Sequence, residues 1–123
     1  MCLYSKTRFP RRAKKDILCY KQLRLVEDKS HFKTPIRSTF VPLESEWPFT
    51  MIPEFCLPFH FNADRAYVKG EGYIHAFLYK YKSYMYPKIV LAECIIPKGT
   101  KYHISRCGME ICARKLILKR IIK

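Results

Sequence analysis

Two residues of this sequence, His75 and Glu110, have side chains suited to acid–base chemistry. His75 lies in the apolar run 73–77 (YIHAF), whose alternation predicts a strand. An imidazole needs an activating partner to act as a base, and Glu110 is one of the few carboxylates in the C-terminal half. If the chain is an enzyme, these two are the catalytic candidates. The alternative is structural: a hydrogen-bonded histidine in the core or at its rim, and an ion pair between Glu110 and Arg114 or Arg106.

The segment 98–101 (KGTK) raises the question of phosphate binding. It lacks the G-x-x-x-x-G-K-[ST] pattern of a P-loop, and no helix is predicted after it. Pro97 and Gly99 are the residue types that a tight turn between strands requires, so a turn explains the segment by itself. Its two lysines, Lys98 and Lys101, are nevertheless candidates for contact with an anionic ligand.

Further ligand-binding candidates lie at or beside the ends of predicted strands. They are Tyr20, Lys21, His75, Tyr102 and Arg114. The run 73–88 interleaves aromatic and basic residues, and such a mixture can stack on bases while pairing with phosphates. The alternative is that the tyrosines cover the core with their hydroxyl groups in water. Nothing in the sequence brings these candidates together in space.

The charge balance indicates an anionic partner. Lys and Arg number 24 against 10 Asp and Glu, which gives a formal net charge of +14. A positive field of this size attracts nucleic acid, nucleotides or acidic proteins, although solubility alone is the plainer reading. Two basic clusters stand out. They are Lys6, Arg8, Arg11, Arg12, Lys14 and Lys15 near the start, and Arg114, Lys115, Lys119, Arg120 and Lys123 at the end.

The cysteine spacing does not predict a metal site. None of the six cysteines forms a C-x-x-C pair, and the four-residue separation of Cys107 and Cys112 is poor for zinc. Cys19 and Cys94 lie in apolar runs, where thiols act as small buried hydrophobic groups. We expect reduced thiols, no metal and no cofactor.

The chain length and patterning predict one small β-rich α+β domain. A chain of 123 residues, 49% hydrophobic and 28% charged, suits a single globular domain. We expect a basic N-terminal arm at 1–15 and a domain at 16–123 with a mainly antiparallel sheet or partly open barrel. Strands are predicted within 16–28, 73–77, 88–96, 101–105 and 113–122, with a broken strand between 31 and 44.

Two segments are less regular. Four prolines in 42–60 exclude a helix interior or a central strand there and predict an irregular aromatic connection. The run 78–86 fits either a strand or one of the one or two short helices expected.

No apolar run could span a bilayer and no secretory signal is evident, so we expect a cytoplasmic protein of a bacterial host cell. Exposed sheet edges make a homodimer an option.

Two resemblances arise from short stretches of the sequence. The segments MCLYSK, AKKDILCYK and CIIPKGTKY resemble short uncharacterised proteins of gut bacteria and their phages, which implies no particular function. The order of a CYK strand, a middle strand, ECIIPKGTKY and a late Glu resembles ADP-ribosyltransferase-like domains. That resemblance implies binding of NAD and activation of its ribose, with Lys21 or Tyr20 early, His75 in the middle and Glu110 late.

These observations lead to three hypotheses of function. The first is a non-enzymatic binder of a negatively charged nucleotide-type ligand, such as a phage protein that sequesters a host signalling nucleotide. The second is a general nucleic-acid or acidic-protein binding protein that uses the basic clusters and loses affinity steeply with salt. The third is an ADP-ribosyltransferase-like enzyme that depends on Glu110.

Overall fold

The computed structural model describes residues 10–34, 40–52, 73–80, 89–105 and 108–122. Its strands are β1 (Arg11–Arg12), β2 (Ile17–Leu25), β3 (Phe32–Lys33), β4 (Phe40–Val41), β5 (Phe49–Met51), β6 (Ile74–Phe77), β7 (Ile89–Ile96), β8 (Lys101–Ile104), β9 (Glu110–Ala113) and β10 (Leu116–Ile122). The predicted β-rich, antiparallel character is confirmed. The one or two short helices are not found in these ranges, where a three-residue 3-10 turn, Glu44–Glu46, is the only helical element. Most of 78–86 lies outside them.

All described strand pairs belong to one open antiparallel sheet. The main path runs β1-β8-β9-β6-β2-β7-β10-β5, and β3 pairs with both β2 and β4. Its centre is the long β2–β7 pair, in register from Ile17 opposite Ile96 to Arg24 opposite Ile89. The register places Cys19 and Cys94 opposite each other, and both side chains are fully buried in the core. Alternation predicted β2, whereas a continuous β-branched apolar run ended by Pro97 predicted β7.

The sheet branches along the edge of β2 that faces away from β7, where two different strands pair with it. That edge pairs with β6 at a single position, Tyr20 opposite Phe77, and with β3 at Arg24 and Leu25. The two neighbouring strands therefore diverge from β2 in different directions. Backbone groups near the branch need other partners, and this requirement places Lys21, as described below.

The connection from β7 to β8 requires the sheet to curl. Three strands separate β7 from β8 along the path, which in a flat sheet would place them about 19 Å apart. Only residues 97–100 join them, and five extended Cα steps span at most about 18 Å. A tight turn spans much less, so the two halves of the sheet bend toward each other around the same apolar face.

That face forms the core. Both halves of the sheet contribute to one buried cluster: Ala13, Cys19, Leu23, Phe32, Val41, Met51, Ile74, Ala76, Ala92, Cys94, Ile96, Ile111, Ala113, Leu116 and Leu118. Apart from Phe32, these side chains are aliphatic or sulfur-containing, and several are small, as expected where two curved halves pack closely. Trp47 and Phe49, from the proline-rich connection, pack against this cluster.

A bulge in β10 redirects its C-terminal half. Leu118 lies opposite Cys94 on the core face, and the register shifts before Arg120 pairs with Glu93. The extra residue, Lys119, inverts the alternation, so Arg120 shares the outer face with Glu93. Their side chains then form an ion pair at 2.7 Å between Nε and Oε2. Without the bulge, strict alternation would direct Arg120 into the core.

The predicted N-terminal arm at 1–15 and the predicted connection at 42–60 each contain a short strand. Within 1–15, residues 11 and 12 form β1, and Ala13 is only 3% exposed; residues 1–9 lie outside the described ranges. Within 42–60, residues 49–51 form β5 on β10, and residues 53–60 are not described. Among the described residues, no helix is long and apolar enough to cross a membrane.

Candidate anion-binding site

The segment 97–100 is a tight turn, as its sequence predicts. The Thr100 amide donates to the Pro97 carbonyl at 3.1 Å, and Gly99 has φ +89°. This combination is that of a type II turn, in which the third residue needs a positive φ. Glycine adopts it without strain, which explains why Gly99 stands there.

The backbone amides of this turn are all used within the protein. Lys98 donates its amide to Asp16 Oδ1 at 2.9 Å, Gly99 donates to the Ala13 carbonyl at 2.8 Å, and Thr100 donates to Pro97. A P-loop binds phosphate through several free amides that point at the anion. This turn therefore cannot act as such a nest, and any phosphate here would be bound by side chains.

The strands around the turn bring three cations into one row. Arg12 of β1 lies opposite Lys101 of β8, and the Arg114 amide donates to the Lys101 carbonyl at 3.0 Å, which continues the β8–β9 ladder. Directly opposed residues of antiparallel strands have Cα atoms about 4.5–5.5 Å apart. Like charges in such positions repel each other and destabilise the sheet. As far as the described residues go, the like charges of this row weaken the sheet, and an anion bound against them would reduce their repulsion.

Two further cations complete a shallow groove of about 470 Å³ beside the row. We call it the basic groove, and it is lined by Arg12, Pro97, Lys98, Gly99, Thr100, Lys101, Arg114 and Lys115. Five of these eight residues are cationic and none is acidic. Arg12 also donates from Nη1 to the Gly99 carbonyl at 3.1 Å, which holds its guanidinium at the turn.

Aromatic contacts fix the position of Arg114. Its guanidinium carbon lies 5.7 Å from the centre of the Tyr73 ring, a favourable cation–π distance. Tyr73 in turn meets His103 edge-on, with ring centres 5.3 Å apart. Both rings are buried, so this end of the groove is built on a rigid support.

His75 and Glu110 form a second polar pair on the same face of the sheet. Glu110 lies opposite Phe77, so it is diagonal to His75, two positions along the strand pair. Nε2 of His75 is 3.4 Å from Oε1 of Glu110. This approach is too long and poorly aligned for a good hydrogen bond, and Nε2 makes none with the described residues. Burial, and then the charge of Lys21, lower the pKa of His75 to about 3. Burial raises the pKa of Glu110.

Lys21 supports the branch of the sheet. Its ammonium group donates to the His75 carbonyl at 2.6 Å. Because β2 and β6 pair only at Tyr20 and Phe77, that carbonyl has no ladder partner on β2, and the ammonium takes its place. This contact explains how a lysine is tolerated on a strand face that otherwise enters the core.

The predicted ligand-binding residues thus separate into different places. Lys98, Lys101 and Arg114 meet in the basic groove. Lys21 and His75 meet at the branch. Tyr20 lies at the same branch, opposite Phe77, and Tyr102 packs against the core.

Distance also separates the groove from the polar pair. Arg114 and Glu110 are four residues apart along the line of β9, which corresponds to about 13 Å in extended backbone. His75, opposite Cys112, is closer to Arg114 along the strand, but neither it nor Glu110 is among the described residues that line the groove. Among the described residues, no three His, Cys, Asp or Glu side chains are close enough together to hold a metal ion.

Arg12 and Lys115 belong to the groove but were not chosen as ligand candidates. Each lies in one of the two basic clusters at the ends of the chain, and that clustering was the available signal. Pairing of β1 and of the β9 end with β8 brings Arg12 of the first cluster near Arg114 and Lys115 of the second.

No protein-family model matches this chain, and neither a curated protein nor a solved structure similar to it was found. The function proposed next therefore depends on the geometry of the chain's own residues.

Proposed function

We propose that this chain binds a phosphorylated, nucleotide-type ligand without transforming it, and that the basic groove holds the phosphate groups. The observation that carries the proposal is the row Arg12–Lys101–Arg114, in which the sheet register opposes like charges. Such a row costs stability in the free protein, and a bound anion would remove that cost. Charge-assisted contacts from arginine and lysine are the strong interactions used to bind phosphate.

The geometry favours binding over catalysis. Of the candidate acid and base, Glu110 lies about 13 Å from Arg114 along the strand direction. His75 is opposite Cys112 and lies about 7 Å from Arg114 in that direction. His75 is neutral at ordinary pH because burial lowers its pKa to about 3. Neither candidate belongs to the described lining of the groove, whose charged groups are all cations, and proton transfer requires a group within hydrogen-bond reach of the ligand.

The test is the affinity for a nucleoside diphosphate, measured by calorimetry with the full chain at about 0.15 M salt. The double substitution Lys98→Gln and Lys101→Gln removes two groove cations. Each lost charge-assisted contact is worth about 1.5 kcal/mol or more, so we expect affinity to fall at least about tenfold. The melting temperature of the free variant should be unchanged or higher, because a repulsive pair is removed from the row.

The matched control is Lys33→Gln with Lys119→Gln, which makes the same change in net charge on β3 and β10. We expect this control to lose less than about twofold in affinity, because screened charges act weakly over such distances. No binding of the nucleotide by the wild-type chain would refute the proposal.

A second candidate function, general polyanion binding, is favoured by the net charge of +14 and by the shallowness of the groove. It predicts that both double variants weaken binding equally, because the whole surface field would be responsible. It also predicts that single-stranded nucleic acid binds far more tightly than one nucleotide, with an affinity that falls steeply as salt is added.

A further inference from the structure

We infer that the basic groove recognises a run of linked phosphates and does not read the base or sugar attached to it. This inference rests on the proposed function and specifies the part of the ligand that is bound. Its ligand class is therefore polyphosphate, whether inorganic or as the phosphate chain of a nucleotide.

The first argument is the composition of the groove. Its eight lining residues include no aromatic side chain and no Asp, Glu, Asn or Gln. Reading a base requires hydrogen-bonding groups for its edge, or an aromatic ring or guanidinium plane for stacking. The two guanidinium groups of the lining are already engaged, that of Arg12 with the Gly99 carbonyl and that of Arg114 over the Tyr73 ring. Thr100 carries the one side-chain hydroxyl group of the lining. The described lining thus offers positive charge and little else.

The second argument is the position of Tyr73 and Tyr102, the tyrosines next to the groove among the described residues. Tyr73 lies beneath the Arg114 guanidinium and is only 3% exposed. Tyr102 lies opposite Arg11 on β1, on the face that packs against the core. Neither ring presents an open face at the groove, so the aromatic residues stabilise the sheet there and cannot stack on a base.

The third argument is the balance of charge. A terminal phosphate carries about −1.5 to −2 at neutral pH, which five cations exceed. Two or three linked phosphates, with about −3 to −4 in total, match the groove better. Its volume of about 470 Å³ is also within the usual range of about 300–1,000 Å³ for small-ligand sites.

The fourth argument is that mobile lysine side chains, and not fixed backbone amides, supply much of the positive charge of the groove. The turn amides are satisfied internally, so no rigid array of donors selects one phosphate geometry. Lysine is a mobile point charge with three donors, and Lys98, Lys101 and Lys115 can follow phosphates in several arrangements. Affinity should therefore depend on the number of phosphates and not on the group that carries them.

The experiment compares inorganic tripolyphosphate, ATP, GTP, CTP and adenosine on the full chain, in a magnesium-free buffer with chelator at about 0.15 M salt. We expect tripolyphosphate and the three nucleotides to bind within about threefold of one another, and adenosine to show no binding. Lys98→Gln with Lys101→Gln should weaken all four phosphate ligands by the same factor, at least about tenfold. Lys33→Gln with Lys119→Gln should leave them within about twofold.

The outcomes separate this inference from the proposed function. If one nucleotide binds more than about tenfold tighter than tripolyphosphate, the base or sugar is read, and the inference is wrong while the proposed function stands. If tripolyphosphate binds and the nucleotides do not, the groove takes an inorganic ligand and the proposed function is wrong. If none of the four binds, both are wrong.

Discussion

His75 is held in its neutral form by its surroundings. The side chain is 17% exposed, and its Nε2 atom lies 3.4 Å from Glu110 Oε1. A carboxylate this close would favour the imidazolium, but burial opposes it, and so does the Lys21 ammonium on the His75 carbonyl. A neutral imidazole without an aligned partner packs as a polar aromatic ring. Its edge-on contact with Phe77, at 5.0 Å between ring centres, fits that role.

The depressed pKa of His75 predicts how stability varies with pH. The folded-state pKa is about 3 against an ordinary 6.5, so below pH 6.5 the unfolded chain takes up a proton that the folded chain does not. The free energy of unfolding should fall as the pH decreases below 6.5, approaching about 1.4 kcal/mol per pH unit. His75→Phe should remove this component, as seen in urea unfolding at pH 7, 6 and 5.5.

Glu110 has the opposite effect on the free energy of unfolding, and its effect falls at lower pH. Its pKa is raised by burial, so the folded chain binds this proton more readily and gains stability as the pH approaches the carboxyl range. Measuring above pH 5.5 limits its contribution. An unchanged slope in His75→Phe would show that His75 is protonated in the folded protein.

At the scale of elements, the turn at 97–100 determines where the cations meet. It ends β7, starts β8 on the other half of the sheet, and binds the chain before β2 through Ala13 and Asp16. A conformational change in this turn would disturb β1 and β8 together, because Gly99 contacts Ala13 through its amide and Arg12 through its carbonyl.

Substitution of Gly99 tests this role. A Cβ at Gly99 would meet no atom within 4 Å, so Gly99→Ala introduces no clash and its cost comes from the positive φ of 89°. We expect a loss of about 1 kcal/mol in the free energy of unfolding, measured by urea denaturation. Gly99→Asn should lose less, because asparagine tolerates positive φ better. Wild-type stability of Gly99→Ala would mean that the turn has changed type.

The strands that the sequence predicts are those with an apolar run, an alternating pattern or an adjacent turn. β2 has an alternating pattern, and β7 is a continuous apolar run that Pro97 ends. In contrast, β1, β5 and β9 contain two to four residues and have no such run. They are strands because a longer or better-placed strand pairs with them, and such tertiary pairing leaves no local pattern in the sequence.

At the scale of the whole molecule, the fold brings positive side chains from distant parts of the chain into one groove, whereas the sequence shows only that the chain has more positive than negative residues. The total of +14 and both terminal clusters are visible in the sequence. The contact of Arg12 with Gly99, however, joins residues 87 positions apart, and a one-residue change of register would move Arg12 to the other face. The site could therefore be predicted in part through Lys98, Lys101 and Arg114, while their meeting with Arg12 and Lys115 could not. The homodimer stays a prediction.

The most direct measurement is a titration of the isotope-labelled full chain with inorganic pyrophosphate, followed by amide chemical shifts at about 0.15 M salt. Our account predicts saturable shifts concentrated at residues 98–101, Arg12, Arg114 and Lys115, with small changes at His75 and Glu110. Shifts centred on His75 and Glu110 would contradict it, as would weak shifts spread over all basic residues or no shifts at all.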